Sequence, residues 1–274
     1  MIEISNLNVN FGRVKALQDL NLTLSSGEAI LLAGANGAGK TTILRALTGV
    51  LRTPGARISV AGIPVSPESR RRTAYISASL SGYDSLRLGD CLRLHASAHP
   101  GFRMPEFNGI RLDRRRRLST LSRGERALFF LGMGLGIQPE CVLIDDVLHY
   151  LDPHLREVFL DVLLLAVEEN RTTVIIASQS PIEVEGLVER VVLLQSGRVI
   201  LDRPVDQLKQ HFLRVYSDAP PPENLPVIYH RRWSGSHEWY LYPWDGPPPA
   251  DTRAEHIGLP DILKALIGGH YAAH

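Results

Sequence analysis

Cysteine is scarce: Cys91 and Cys141 are the two in 274 residues, too few to frame a disulfide-stapled secreted domain and suited to a reducing compartment. An excess of either charge is lacking too. The 30 Lys and Arg against 29 Asp and Glu leave +1, which removes any global electrostatic case for nucleic acid. No apolar run approaches the ~18 residues that cross a bilayer; the longest, 128–137 and 158–167, have the length of core helices. The start, MIEISNLNVNFG, alternates like a strand and lacks the basic start and apolar block of a signal peptide. The ten histidines show no metal-binding spacing, and no internal repeat is visible. These absences predict a soluble protein that reaches a membrane only through a partner. At 44% hydrophobic and 22% charged, the chain has room for one large domain or one domain plus a small appendage.

What is present is concentrated in one stretch, AILLAGANGAGKTT, residues 29–42. Gly34 to Thr41 fits G-x-x-x-x-G-K-[ST], the phosphate-binding P-loop. Glycines at 34, 37 and 39 let the backbone curl so that successive N–H groups point at an anion. A helix from about Lys40 turns its positive end to the same phosphates. Lys40 is expected to reach the β- and γ-phosphates, and the Thr41 hydroxyl to ligate Mg²⁺. Asn36, Ala38 and Thr42 complete the expected nucleotide cradle. A glycine-rich turn that binds nothing does not explain Lys-Thr-Thr at that spacing.

Around this unit, strands alternate with helices. Residues 2–10, 17–24, ARISVAG, TAYIS, CVLIDD and TTVIIAS read as strands. Residues 155–170, IEVEGLVE (182–189) and 205–212 read as helices, and VVLLQSGRVI as a hairpin turning at Ser196-Gly197. From Ser79 to about Gly136 the period becomes helical, with breaks at 81–82 and 99–109. Ser122 is a predicted helix N-cap, with Glu125 as its capping-box partner. A composition break near Asp218-Ala219-Pro220 opens a tail that holds all three tryptophans, a predicted hairpin around Ser234-Gly235-Ser236, and a final helix LPDILKALIG. The order implies a mainly parallel sheet covered on both faces.

CVLIDD (141–146) places four apolar residues ahead of an acid at the end of a buried strand, in the manner of a Walker B strand. Asp145 is then expected to hold Mg²⁺ and Asp146 to stand where a base orients attacking water; a helix-capping acid pair is the plainer alternative. Leu121-Ser122-Arg123-Gly124-Glu125 resembles the LSGGQ signature of ABC-type ATPases, and Leu151-Asp152-Pro153 resembles their D-loop. Over roughly residues 1–212 the chain is similar to this family, most of all to ATPase subunits of ABC-2-type bacterial exporters, where an LSRG signature and a small C-terminal extension also occur. The resemblance implies an α/β fold: a P-loop ABC-type ATPase core at 1–213 with an N-terminal antiparallel β-subdomain and a helical subdomain at about 79–136, then a small C-terminal α/β appendage at 214–274. It implies binding of ATP and Mg²⁺, a head-to-tail dimer with a second ABC subunit in which Ser122 and Gly124 meet the partner's nucleotide, and docking on a membrane-spanning permease at the inner face of the membrane. It also puts Phe11 at the aromatic position that stacks on adenine, a contact worth about 1–3 kcal/mol by analogy with base stacking. An ordinary core Phe at a strand end is the alternative.

Four positions depart from the family pattern. The catalytic Glu is Asp146, the switch His is Gln179, the Q-loop Gln is Ala78 (with Ser79 beside it), and the signature carries Arg123 and Glu125. The expectation is normal ATP binding with slow hydrolysis, or a degenerate site within a heterodimer. A soluble ATP-dependent switch acting on protein or nucleic acid is the other class of function. The runs Arg114–Arg117 and Arg70–Arg72 read either as partner contacts or as solvated stretches. The tail aromatics read as a ligand platform or as the core of a small domain. His149 and Tyr150, just before the D-loop, are candidates to touch a dimer partner.

Overall fold

The computed structural model describes residues 1–77, 83–178, 184–233 and 235–268. Alternation of buried and exposed side chains, interrupted by an irregularity at Ser5-Asn6, makes β1 (Ile2–Phe11), which turns at Gly12 into β2 (Val14–Leu24). The unbroken apolar run gives the fully buried β3 (Ala29–Ala33), followed through the glycine-rich loop by α1 (Lys40–Leu47). Next come β4 (Arg57–Val60), β5 (Ile63–Pro64), α2 (Pro67–Arg71) and β6 (Thr73–Ser77). The region after them holds α3 (Leu88–Ala98) and α4 (Arg123–Leu135). The core then continues with β7 (Cys141–Asp145), α5 (Pro153–Asn170), β8 (Thr173–Ser178), β9 (Arg190–Gln195), β10 (Arg198–Pro204) and α6 (Val205–His211). The last part contains β11 (Leu213–Ser217), β12 (Val227–Trp233), β13 (Ser236–Leu241), β14 (Arg253–Glu255) and α7 (Leu259–Gly268).

Three sheets result. The central one has the order β10-β9-β3-β8-β7-β6, parallel throughout except for the β10/β9 hairpin. An antiparallel sheet β2-β1-β4-β5 covers one side, and β12-β13-β11-β14 forms a third sheet. The pleat of the central sheet sorts its neighbours. Ile30, Leu32, Leu143 and Ile175 pack with Ile43 and Leu44 of α1 and with the β1/β2 side chains. Leu31, Val142, Ile144 and Ile176 pack with Leu128 and Leu131 of α4 and Phe159 of α5 on the other face. Helices α1 and α4 therefore lie on opposite faces of one sheet. The second of these clusters extends without a break through Leu208 and Phe212 to Leu259, Ile262 and Leu263 of α7.

Two expectations fail here. Among its described residues, 83–136, the span expected to be helical is so only at 88–98 and 123–135, apart from one tight turn at Leu118–Thr120. The backbone of the arginine run is engaged elsewhere: Leu88 and Gly89 donate to the carbonyls of Arg116 (3.0 Å) and Arg114 (2.9 Å), and Leu118 donates to Leu86 O (3.0 Å). That ladder competes with a helix for the same groups. The second failure is the helix expected at 182–189. Its described part, 184–189, forms turns with a single bridge between Glu185 and Val188, and Gly186 sits at φ +108, outside helical space. Val184, Leu187 and Val188 are buried at the spacing of a helix face, and the turns bury them equally well.

Candidate functional site

The phosphate loop is braced from behind. Gly197, at the tip of the β9/β10 hairpin, donates its N–H to Ala38 O at 3.1 Å and accepts from Gln18 N at 2.9 Å. Leu17 and Ala16 of β2 press against the loop where Gly39 stands at φ +111. A Cβ on Gly39 would lie 2.7 Å from Leu17 Cδ2 and 2.9 Å from the Ala16 carbonyl oxygen, and one on Gly34 would lie 2.5 Å from the Leu194 carbonyl oxygen. Replacing Gly39 with alanine is expected to cost about 1–3 kcal/mol in strain and to weaken nucleotide binding with it. Thermal unfolding and equilibrium binding of ATP check both.

Lys40 is 7% exposed and donates from Nζ to Gly34 O (2.6 Å) and Ala35 O (3.1 Å). Burial pushes its ammonium below the ordinary lysine range, and the nearby carboxylates of Asp146 and Asp145 oppose the shift. Thr41 Oγ1 donates to Asp145 Oδ1 at 2.8 Å. This bond joins the first turn of α1 to the end of β7. Asp145 is 7% exposed, and its other oxygen accepts from the Tyr75 hydroxyl at 2.7 Å. Burial first, then that hydrogen bond, pushes the Tyr75 phenol up to about 12, so it stays protonated and donates. Tyr75 is absent from the sequence-derived site. Its signal was present, a tyrosine on the strand that precedes the expected Q-loop, but only the β6/β7 register reveals what it reaches.

Asp146 turns away from regular strand geometry at φ +53 and hangs from its own N–H on Ala177 O at 3.0 Å. His149 Nδ1 lies 3.5 Å from its Oδ1. Phe11 is 52% exposed at the tip of the β1/β2 hairpin, so it is not a core side chain. Gln179, Ala78 and Ser79 lie outside the described residues.

The signature residues are not brought to the P-loop within the chain, because α4 covers the face of the sheet opposite α1. Ser122 caps α4 as expected: Glu125 N donates to Ser122 Oγ at 3.1 Å, and Ser122 N to Glu125 Oε2 at 2.8 Å. Arg116 pairs with Glu125 through two contacts, 2.6 and 3.1 Å, which holds that carboxyl below the usual range. One member of the arginine run is thereby part of the helix cap. Gly124 is buried against the D-loop, where a Cβ would meet Leu155 Cδ1 at 2.7 Å and Tyr150 O at 3.1 Å. Asp152 caps α5 through Leu155 N at 2.9 Å, and the Arg123 guanidinium stacks over Tyr150 at 4.9 Å. Substituting Ser122 with alanine is expected to lower stability by about 1 kcal/mol, measurable by denaturant unfolding.

On the flank of the P-loop lies a cleft of about 180 Å³. Asn36, Gly37 and Ala38 form one wall, and Leu266 and Ile267 of α7 another.

Residues 17–149 match the family model of the ABC transporter. The chain carries an ABC-type ATP-binding domain. A solved ATP-binding subunit of an ABC transporter is 25% identical and superposes with a TM-score of 0.69, over 76% of this chain and 92% of that one. The molybdenum import ATP-binding protein ModC of Rhodobacter capsulatus is 33% identical over 211 residues, covering 72% of this chain and 55% of its own length. The uncharacterized ABC transporter ATP-binding protein YdbJ of Bacillus subtilis (strain 168) is 22% identical over 277 residues, 98% of this chain and 88% of its own. In this ABC-type ATPase, β2 and the β9/β10 hairpin brace the phosphate loop and α7 lies beside it. None of its described helices is long and apolar enough to cross a membrane.

Proposed function

We infer that the chain is the ATP-binding subunit of a membrane exporter, that it dimerises on ATP, and that it hydrolyses ATP slowly. The observation that carries this reading is the separation of the two half-sites. Lys40, Thr41 and Asp145 converge on one face of the sheet, while Ser122 and Gly124 head a helix on the other. Two chains arranged head to tail bring each P-loop to the other's signature, where the N-terminus of α4 adds its dipole to the γ-phosphate. Thr41 and Asp145 offer a hydroxyl and a carboxylate, hard oxygen donors suited to Mg²⁺. An ion held there offsets charge on the β- and γ-phosphates. Phe11, exposed at the tip of the β1/β2 hairpin, would stack on adenine.

Slow hydrolysis rests on Asp146, one methylene short of the usual glutamate. Steady-state ATPase of the chain with its permease tests it, and turnover on the order of 10 per second sinks the idea. Docking on a permease at the inner face of the membrane is tested by co-purification. An affinity-tagged chain that retains no multi-span membrane protein leaves a soluble switch as the better reading. Export is supported by the Leu-Ser-Arg-Gly signature and by the extension ending in α7. Import is the second reading, favoured by the names of relatives such as the molybdenum import protein. Transport assays in vesicles of each orientation separate the two.

A further inference from the structure

The carboxylate of Asp145 is gripped at both oxygens by donors from two different elements. Thr41 Oγ1, on α1, holds Oδ1 at 2.8 Å, and Tyr75 Oη, on β6, holds Oδ2 at 2.7 Å. The register explains the second grip. Tyr75 pairs with Leu143 and Ser77 with Asp145, so the tyrosine lies on the same face of the sheet as Asp145, two residues back. Its ring packs into the cluster that holds Leu143 and Leu44, and its hydroxyl reaches along the strand to the carboxylate. A smaller side chain at position 75 does not span that step.

We propose that Tyr75 is a positioning residue for the metal site, setting the rotation of the Asp145 carboxylate so that Oδ1 faces Thr41 and a bound Mg²⁺. The inference rests on the reading that Thr41 and Asp145 hold that ion. An aspartate's terminal torsion is broad and nearly two-fold, so an unsupported carboxylate samples many orientations. The Thr41 hydroxyl has a single proton, which it donates to Oδ1, and its lone pairs are left for an ion, so it holds one oxygen of the carboxylate only. The Tyr75 contact meets the opposite oxygen and persists through metal binding. A hydrogen bond of this kind, from a neighbour to a metal-ligating group, commonly governs metal affinity by about 10–100-fold. It also ties the ion to β6, the strand that leads toward the helical region.

The test is the Mg²⁺ dependence of nucleotide binding, which needs no turnover. Tyr75→Phe deletes one oxygen and keeps the ring. Binding of a fluorescent ATP analogue is measured in EDTA and across a Mg²⁺ titration, and Mn²⁺ binding is followed by electron paramagnetic resonance. The expected result is an affinity in EDTA within about twofold of the parent and a half-saturating Mg²⁺ concentration raised about 10–100-fold. An unchanged Mg²⁺ half-saturation in Y75F overturns the proposal. A loss of affinity that is the same with and without Mg²⁺ also overturns it, since that marks a structural role. Asp145→Asn separates the two layers: if D145N leaves the Mg²⁺ dependence untouched, the metal reading itself falls, and the positioning role with it. If D145N shifts it and Y75F does not, only the positioning role falls. In the double variant the two effects should not add, and additivity counts against action through Asp145. Circular dichroism verifies folding. If phenylalanine impairs folding, Y75M fills the space with a flexible apolar chain and carries the same expectation.

Discussion

Lengthening Asp146 to glutamate is expected to raise ATP turnover by about 10²-fold. The added methylene advances the carboxylate by about 1.5 Å, and misplacement on the scale of 1 Å costs a reaction of this kind roughly two orders of magnitude. The backbone favours the native residue, because Asp146 sits at φ +53 and aspartate tolerates that region better than glutamate. Some stability is therefore expected to be lost as activity is gained. Single-turnover hydrolysis at saturating Mg-ATP, with nucleotide affinity measured in parallel, reads the effect on chemistry apart from binding. Turnover that stays flat or falls in D146E means that base distance is not what slows the reaction. Asp146→Asn provides the opposite control and should abolish whatever base catalysis the parent has.

Truncating Phe212 to alanine is expected to destabilise the protein by about 3–5 kcal/mol, the range for removing a fully buried aromatic ring. Phe212 is fully buried between α6 and β11 and stacks on Tyr242 with centroids 5.0 Å apart. It lies where the side chains of the central sheet meet those of α7, in one continuous cluster. Its loss should lower the midpoint of urea unfolding while leaving a single transition. Two separated transitions would show that the last sixty residues unfold apart from the rest, and would refute the shared core as an energetic unit. Exposed Trp233 is the contrast. Its replacement by alanine should stay within about 0.5 kcal/mol, as for surface positions generally.

The parts of this molecule that were readable in the sequence are those where local chemistry leaves little choice. AILLA and CVLID are unbroken apolar runs ended by a glycine or an acid, and they became adjacent-but-one strands of a parallel sheet. Ser122 and Glu125 are a reciprocal cap whose two hydrogen bonds lie within four residues. Thr41 and Asp145, 104 residues apart, were each readable as members of a local motif; the hydrogen bond between them was not. The failures are places where a non-local contact decides. The 110–122 segment was expected to be helical, but its backbone groups at 114–119 are claimed by residues 84–89. At 184–189 the apolar pattern is genuine, yet a left-handed Gly186 spends it on turns. Tyr75 escaped for the same reason: its role exists only through the strand beside it.

The cleft between the P-loop and α7 has a practical side. Both native thiols are buried, and burial pushes both up, Cys141 to about 12, so neither offers appreciable thiolate at neutral pH. A cysteine introduced at exposed Lys264, on the outer side of the helix whose Leu266 and Ile267 wall the cleft, therefore takes a maleimide dye by itself. The dye then stands on the helix that walls the cleft lined by Asn36 and Gly37. The fold thus supplies a single-site optical label next to the phosphate loop, with no native cysteine to remove first.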